Sequence, residues 1–113
     1  MRIKEGVELS DLQPDMVRAC QIIDLIYEEA GYECWITSGR EGGHHGQPVG
    51  ADDRDPHYLG KAVDFRIHNV PPEARLALVD TIRLALGDRY IVLWENKGSD
   101  LEHLHVQAGK VLA

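Results

Sequence analysis

Four side chains in the second half of the sequence have types and spacings that suit metal binding and hydrolysis. His57 precedes Gly60 by three residues, and Asp64 follows that glycine by four. A turn that glycine permits can bring an imidazole nitrogen and a carboxylate oxygen to one point about 2.0 to 2.2 Å from a zinc ion. His103 and His105 are two residues apart, so on a strand both project from the same face. Two nitrogens and one oxygen from this set would leave a fourth tetrahedral position open, as in catalytic zinc sites.

Helical periodicity predicts two of the elements that must position these residues. Ser10 and Gln13 have the form of a capping box, and the apolar spacing that follows predicts a helix over about residues 11 to 30. A second amphipathic helix is predicted between Pro71 and Gly87, because proline favours the first turn of a helix and glycine its end. The apolar stripe of each helix indicates packing on a shared core.

Short apolar and β-branched runs predict the strands. They cover residues 34 to 37, 61 to 67, 90 to 95 and 103 to 108. The last two runs are separated by a turn-forming cluster, Asn-Lys-Gly-Ser-Asp, so an antiparallel hairpin is expected. Strands interspersed with two main helices predict a single α+β domain over all 113 residues, with a small antiparallel sheet.

Composition excludes several classes of partner. The net charge of −7 disfavours binding to nucleic acid, and no apolar run is long enough for membrane insertion. Cys20 and Cys34 lie in apolar surroundings and are expected to be buried free thiols. The polar, glycine-rich stretch that ends at Pro56 has no periodicity, and we expect it to form the wall of a site. The amino terminus has no apolar region of the kind found in export signals.

Three segments resemble a known family of zinc peptidases. Residues 55 to 64, DPHYLGKAVD, resemble the SxHxxGxAxD motif of the D-Ala-D-Ala metallopeptidases, and residues 102 to 105, EHLH, resemble their second motif with ExxH or HxH. Residues 36 to 40, ITSGR, resemble the strand end that precedes the first motif. The same group includes the lysostaphin-like enzymes and the hedgehog signalling domain. The resemblance spans about residues 34 to 108 and implies a hedgehog/DD-peptidase-like fold.

The resemblance implies a zinc ion held by His57, Asp64 and His105, with water in the fourth position. A general base is then needed, and two glutamates compete for that role. Glu102 lies three residues before His105, as the base does in the dipeptidase branch, whereas Glu95 ends the preceding strand, as in hedgehog-like members. Hairpin pairing would place Glu95 across from the histidines and alternation would turn Glu102 away, which favours Glu95. A turn at Glu102 would reverse that preference.

Several further residues have two interpretations. His103 is expected to hydrogen-bond the zinc-bound water or stabilise an oxyanion, and a structural histidine bonded to backbone is the alternative. Arg40 could pair with a substrate carboxylate or lie solvated in a loop. Asp55 replaces the serine of the family motif, where it could accept a hydrogen bond from a ligand imidazole. His44 and His45 are expected to be exposed loop residues, with a pocket rim or a second metal as the alternative.

The function implied by the resemblance is zinc-dependent hydrolysis of an amide bond in peptidoglycan stem peptides or cross-links, by a carboxypeptidase or an endopeptidase. A zinc-binding structural or interaction domain that has lost turnover is the main alternative, and a metal-free domain with a chance histidine cluster is the third. The expected partner is a peptidoglycan peptide. The lack of an export signal fits an endolysin or virion-associated wall hydrolase, made in the cytoplasm and released by phage lysis or carried in a particle.

Overall fold

The computed structural model describes residues 1–41, 57 and 59–109 of the chain. They form an α+β domain with two helices and a five-stranded sheet, as the sequence predicts for the fold class. The strands are β1 (Arg2–Ile3), β2 (Trp35–Ser38), β3 (Ala62–Arg66), β4 (Tyr90–Glu95) and β5 (His103–Ala108), and the helices are α1 (Pro14–Ala30) and α2 (Pro72–Leu86). The strand order is β1-β2-β3-β5-β4.

The start of α1 corrects the predicted capping box. The Ser10 hydroxyl donates a hydrogen bond to Glu8 at 2.6 Å, and the residue at the N-cap is Gln13, whose side chain caps nothing. Pro14 then begins the helix, where its fixed φ is suitable and its missing N–H is not needed. Asp11 has a φ of 58°, in the left-handed region, so the helix cannot extend back to it.

The sheet is mixed, whereas the sequence predicted an antiparallel one. β1 pairs in parallel with β2, and Arg2 lies opposite Trp35. Because β1 contains only two residues, both of them exposed, no alternating pattern could reveal it. The other three pairings are antiparallel, and they include the predicted β4–β5 hairpin, which has the predicted bounds.

One face of the sheet packs on the helices, and the other carries the polar side chains. Phe65 on β3 and Leu104 on β5 are fully buried, and they join the buried side chains of both helices in one hydrophobic cluster. Asp64 and His105, their sequence neighbours, are half-buried. Since successive side chains on a strand point to opposite faces, Asp64 and His105 lie on the face turned away from that cluster, called the open face below.

Two smaller predictions are also resolved. Cys20 and Cys34 are free and buried, as predicted, and burial raises the pKa of both thiols to about 12. Within the described residues neither helix is long and apolar enough to cross a membrane. The stretch predicted to wall a site lies outside the described residues from residue 42 to residue 56, and so do His44, His45 and Asp55.

Candidate metal centre

Strand register brings two of the predicted ligands together. Asp64 on β3 is paired directly with His105 on β5, so both side chains stand side by side on the open face. The Nδ1 atom of His105 lies 3.0 Å from Oδ1 of Asp64. This contact joins residues 41 positions apart in the sequence.

The third predicted ligand reaches the same oxygen from the segment before β3. The Nε2 atom of His57 lies 3.3 Å from Oδ1 of Asp64, and the rings of His57 and His105 meet edge to face with centroids 5.0 Å apart. Gly60 has a φ of 74°, which glycine adopts without strain, and its N–H donates to the His57 carbonyl at 3.1 Å. This tight turn directs the chain from His57 into β3.

The three side chains fit a metal ion. Their ligand atoms all lie within 4.8 Å of one another, and tetrahedral zinc ligands at 2.0 to 2.2 Å from the ion are about 3.3 to 3.6 Å apart. The side chains of His57, Asp64 and His105 are only 12%, 17% and 13% exposed, so little solvent separates them. A His-Asp-His group that could hold a metal ion is therefore present on the open face.

The outer nitrogen of each histidine is held by an acceptor. Nδ1–H of His57 donates to the carbonyl of Gly39 at 3.0 Å, and Nε2–H of His105 donates to Oε1 of Gln107 at 3.0 Å. These bonds orient both rings so that Nε2 of His57 and Nδ1 of His105 face Asp64. Metal-binding histidines in proteins are oriented in this way by a partner on the second nitrogen.

Asp64 and each of the two histidines favour one another's charged forms. Burial raises the pKa of Asp64, but hydrogen bonds from His105 and His57 outweigh it and lower that pKa to about 2. Burial likewise lowers the pKa of His57 and of His105, and their hydrogen bonds to Asp64 reverse the effect, so both pKa values end above the ordinary one. The carboxylate is therefore ionised at neutral pH, as a metal ligand must be.

A second acid-base pair lies beside this group on the open face. Glu95 on β4 is opposite His103 on β5, and Nε2–H of His103 donates to Oε1 of Glu95 at 2.9 Å. The same nitrogen lies 3.8 Å from Oδ2 of Asp64, and the His103 Nδ1–H donates to the Leu101 carbonyl at 2.7 Å. His103 therefore lies between the Glu95 carboxylate and the His-Asp-His group. Its contact with the Leu101 carbonyl is the backbone bond of the structural alternative, and a role at a zinc-bound water or an oxyanion stays a prediction.

The structure places Glu102 in a different environment. Its side chain is buried, and its carboxylate accepts hydrogen bonds from Arg75 at 2.8 Å, the Trp94 indole at 2.7 Å and the Gly98 amide at 3.2 Å. Burial raises the pKa of Glu102. The hydrogen bonds from Trp94 and Gly98 and the charge of Arg75 lower it by more, so the pKa ends below its ordinary value. Three donors thus hold the Glu102 carboxylate within the hairpin, and it does not join the His-Asp-His group.

Arg40 lies against the segment that precedes α1. Its Nη1–H donates to the Ser10 carbonyl at 3.2 Å and lies 3.6 Å from the Asp11 carboxylate, while its backbone N–H donates to the Glu8 carbonyl at 2.7 Å. The structure therefore shows a guanidinium that ties the end of β2 to the amino-terminal segment, and a substrate contact by Arg40 stays a prediction.

Sequence reasoning missed the two partners that orient the histidines. Gln107 follows His105 by two residues, so strand alternation placed both on one face and could have suggested the contact. The Gly39 contact uses a backbone carbonyl, which every residue has, and no sequence signal could have identified it.

Comparison with protein-family models, with curated proteins and with solved structures found no significant match to this chain.

Proposed function

We propose that this protein is a zinc-dependent peptidase that hydrolyses an amide bond in peptidoglycan stem peptides or cross-links, on a hedgehog/DD-peptidase-like fold. The observation that carries the proposal is the convergence of His57, Asp64 and His105 on the open face, beside the Glu95–His103 pair. The motif resemblance supports the substrate class, and the geometry supports the chemistry.

The donor set favours zinc. Imidazole nitrogens and a carboxylate oxygen suit this ion, and catalytic zinc sites use three protein ligands, whereas structural sites use four. Within the described part of the chain the group offers three. When bound, zinc would polarise the amide carbonyl and lower the pKa of a coordinated water towards about 7.

Glu95 is the better placed of the two candidate bases. Its side chain is 43% exposed on the open face, and it contacts His103 directly. Glu95 can therefore accept a proton from the attacking water and return it to the leaving amine. Glu102 lacks this freedom because Arg75, Trp94 and Gly98 already occupy its oxygens.

His103 supplies a donor next to the reacting atoms. Both of its ring nitrogens face oxygen acceptors, Glu95 on one side and the Leu101 carbonyl on the other. An oxygen that gains negative charge during attack would accept this fixed Nε2–H in competition with Glu95, which would stabilise the transition state more than the ground state. The Leu101 hydrogen bond holds the ring in place while this happens.

The proposal is tested with purified peptidoglycan. The protein is stripped with a chelator, reloaded with zinc or left metal-free, and incubated with the wall, and released fragments are identified by mass spectrometry. We expect zinc-dependent release of peptides, lost in Asp64→Asn and reduced about 10²- to 10⁴-fold in Glu95→Gln. Asp80→Asn, an exposed carboxylate change on α2, is the matched control and should leave release unchanged.

Each outcome identifies one of the three functions. Stoichiometric zinc without peptide release would leave a zinc-binding structural or interaction domain. Absence of zinc binding in elemental analysis would leave a metal-free domain. Equal release by wild-type protein and Glu95→Gln, with loss in Glu102→Gln, would transfer the role of base to Glu102.

A further inference from the structure

A cavity opens next to the His-Asp-His group, on the side of Asp64 and His103. Its volume is about 330 Å³. Side chains from four parts of the fold line it, and those that matter here are Lys4, Asp64, Arg66, Asp100 and His103. Because Asp64 and His103 are shared with the proposed active site, a substrate held at the metal would extend into this cavity.

Arg66 is fixed at the cavity by an aromatic ring. Its guanidinium carbon lies 4.6 Å from the ring centroid of Trp35, on the neighbouring strand β2. A guanidinium stacked on an indole is attracted by the ring and loses little further freedom on binding, while its in-plane N–H groups stay available for a bidentate contact. The Trp35 ring is itself held by its Nε1–H, which donates to Glu33 at 3.1 Å.

The two cations of this cavity have no acidic partner among the described residues. Neither Lys4 nor Arg66 forms an ion pair within residues 1–41, 57 and 59–109. Three acids also line the cavity, but two are already engaged: Asp64 contacts the histidines, and Glu102 pairs with Arg75. Asp100 is the remaining one, so two positive charges face one negative charge. Arg66 is half-buried and forms no ion pair within the described residues, in a protein of net charge −7. Such an arginine is suited to bind an anionic ligand.

Strand geometry places Arg66 close to the His-Asp-His group. Arg66 is two residues from Asp64 on β3, which is about 6.6 Å along the strand. It is also paired directly with His103 across β5. One residue of an extended peptide spans about 3.3 to 3.6 Å, so a group one or two residues from the scissile amide would reach the guanidinium.

We propose that this cavity is a carboxylate-binding subsite, in which Arg66, stacked on Trp35 and assisted by Lys4, holds a free carboxylate of the substrate within two residues of the scissile amide. The proposal rests on the proposed function for its substrate class. It assigns to Arg66 the anion contact that the sequence suggested for Arg40. The carboxylate has two possible sources, a peptide C-terminus or an acidic side chain.

Binding of short peptides to the zinc-loaded protein tests the subsite without requiring turnover. Three probes are titrated by calorimetry at low temperature: an acetylated D-Ala-D-Ala dipeptide, its C-terminal amide, and a C-terminally amidated peptide of the same length with one glutamate. At least one carboxylate probe should bind about tenfold or more tightly than the neutral amide, as a charge-assisted pair allows. The carboxylate probe that binds more tightly than the amide identifies the source of the carboxylate.

Substitutions test whether Arg66 causes the preference for a carboxylate. Arg66→Gln should abolish the preference for the carboxylate probe over the amide, and Arg66→Lys should retain part of it because the charge stays while the planar fork is lost. Arg2→Gln is the matched control, because Arg2 also lies over Trp35, at 5.8 Å, but pairs with Glu33 and does not line the cavity. Circular dichroism shows whether each variant is folded. If Arg66→Gln is not folded, Arg66→Lys and Lys4→Gln decide the question.

The binding and release experiments test the subsite and the peptidase activity independently. Equal binding of acid and amide by wild-type protein, no binding of any probe, or an unchanged preference in folded Arg66→Gln would overturn the subsite. Retained preference in that variant would mean that the metal ion binds the carboxylate. An Arg66-dependent preference without peptide release from the wall would support the subsite and overturn the peptidase. Peptide release from the wall by a protein that shows no preference for the carboxylate probe would support the peptidase and overturn the subsite.

Discussion

Single residues decide how the two histidines of the His-Asp-His group are oriented. Gln107 accepts the outer N–H of His105, and no charge or motif marks it. We expect Gln107→Ala to weaken zinc binding about 10- to 100-fold, the usual effect of removing such a partner, because the ring then loses its fixed orientation. Competition with a chromophoric chelator measures this change. Gln21→Ala, on the exposed side of α1, is the control, and equal affinities of the two variants would contradict the assigned role.

Gly60 acts at the same scale through its missing side chain. Its φ is 74°, and a Cβ atom there would lie 2.7 Å from the backbone oxygen of Asp11. We expect Gly60→Ala to lower the free energy of unfolding by about 1 to 3 kcal/mol, because strain at φ and the backbone clash add together. Urea unfolding measures the loss.

Gly98 separates the two causes of that loss. Its φ is 80°, but a Cβ atom there would meet nothing within 4 Å. Gly98→Ala should therefore show the conformational strain alone, roughly 1 kcal/mol. A loss at Gly98 as large as the loss at Gly60 would mean that the contact with Asp11 does not matter.

At the scale of elements, Glu102 connects α2 to the β4–β5 hairpin. Arg75 comes from α2, Trp94 from β4 and Gly98 from the turn, and all three donate to this one carboxylate. Because the folded pKa of Glu102 lies below its ordinary value, the stability that it contributes is present above about pH 4.3 and is lost as the pH falls through the folded pKa.

The pH dependence of one variant tests this connection. At pH 7 we expect Glu102→Gln to lower the free energy of unfolding by about 1 to 3 kcal/mol, and the difference from wild type should shrink between pH 5 and pH 3 as the wild-type carboxylate is protonated. Urea unfolding across that range gives the difference, with Glu5→Gln, an exposed change, as the control. A difference that stays constant with pH would show that ionisation of Glu102 does not stabilise the fold.

For the whole molecule, metal binding and folding should be linked. The group joins β3, β5 and the segment that carries His57, so an ion bound there stabilises only the folded chain. Zinc at one hundred times its dissociation constant adds about 2.7 kcal/mol, which in a chain of this size raises Tm by roughly 10 °C. Calorimetry with zinc and with chelator measures the shift. Asp64→Asn should show little difference between the two conditions, and an equal zinc effect in that variant would place the ion elsewhere.

Local patterns in the sequence determined the α+β class, both helices, the hairpin and the types of side chain in the His-Asp-His group. These features depend on spacings of two to seven residues, such as His57 to Asp64 and His103 to His105, which local geometry fixes. The start of α1 escaped this reasoning because a left-handed residue and a proline, not the Ser10 side chain, set its boundary.

Only the tertiary structure decided which side chains meet. Strand register decides the pairing of Asp64 with His105 and the position of Arg66 beside the His-Asp-His group. It also decides the placement of Glu95 and Glu102. Register is set by contacts between residues far apart in the sequence, whereas a periodic pattern fixes only the face on which a side chain lies. The sequence could therefore name the three side chains of a group that could hold a metal ion, and the fold had to bring them around one point.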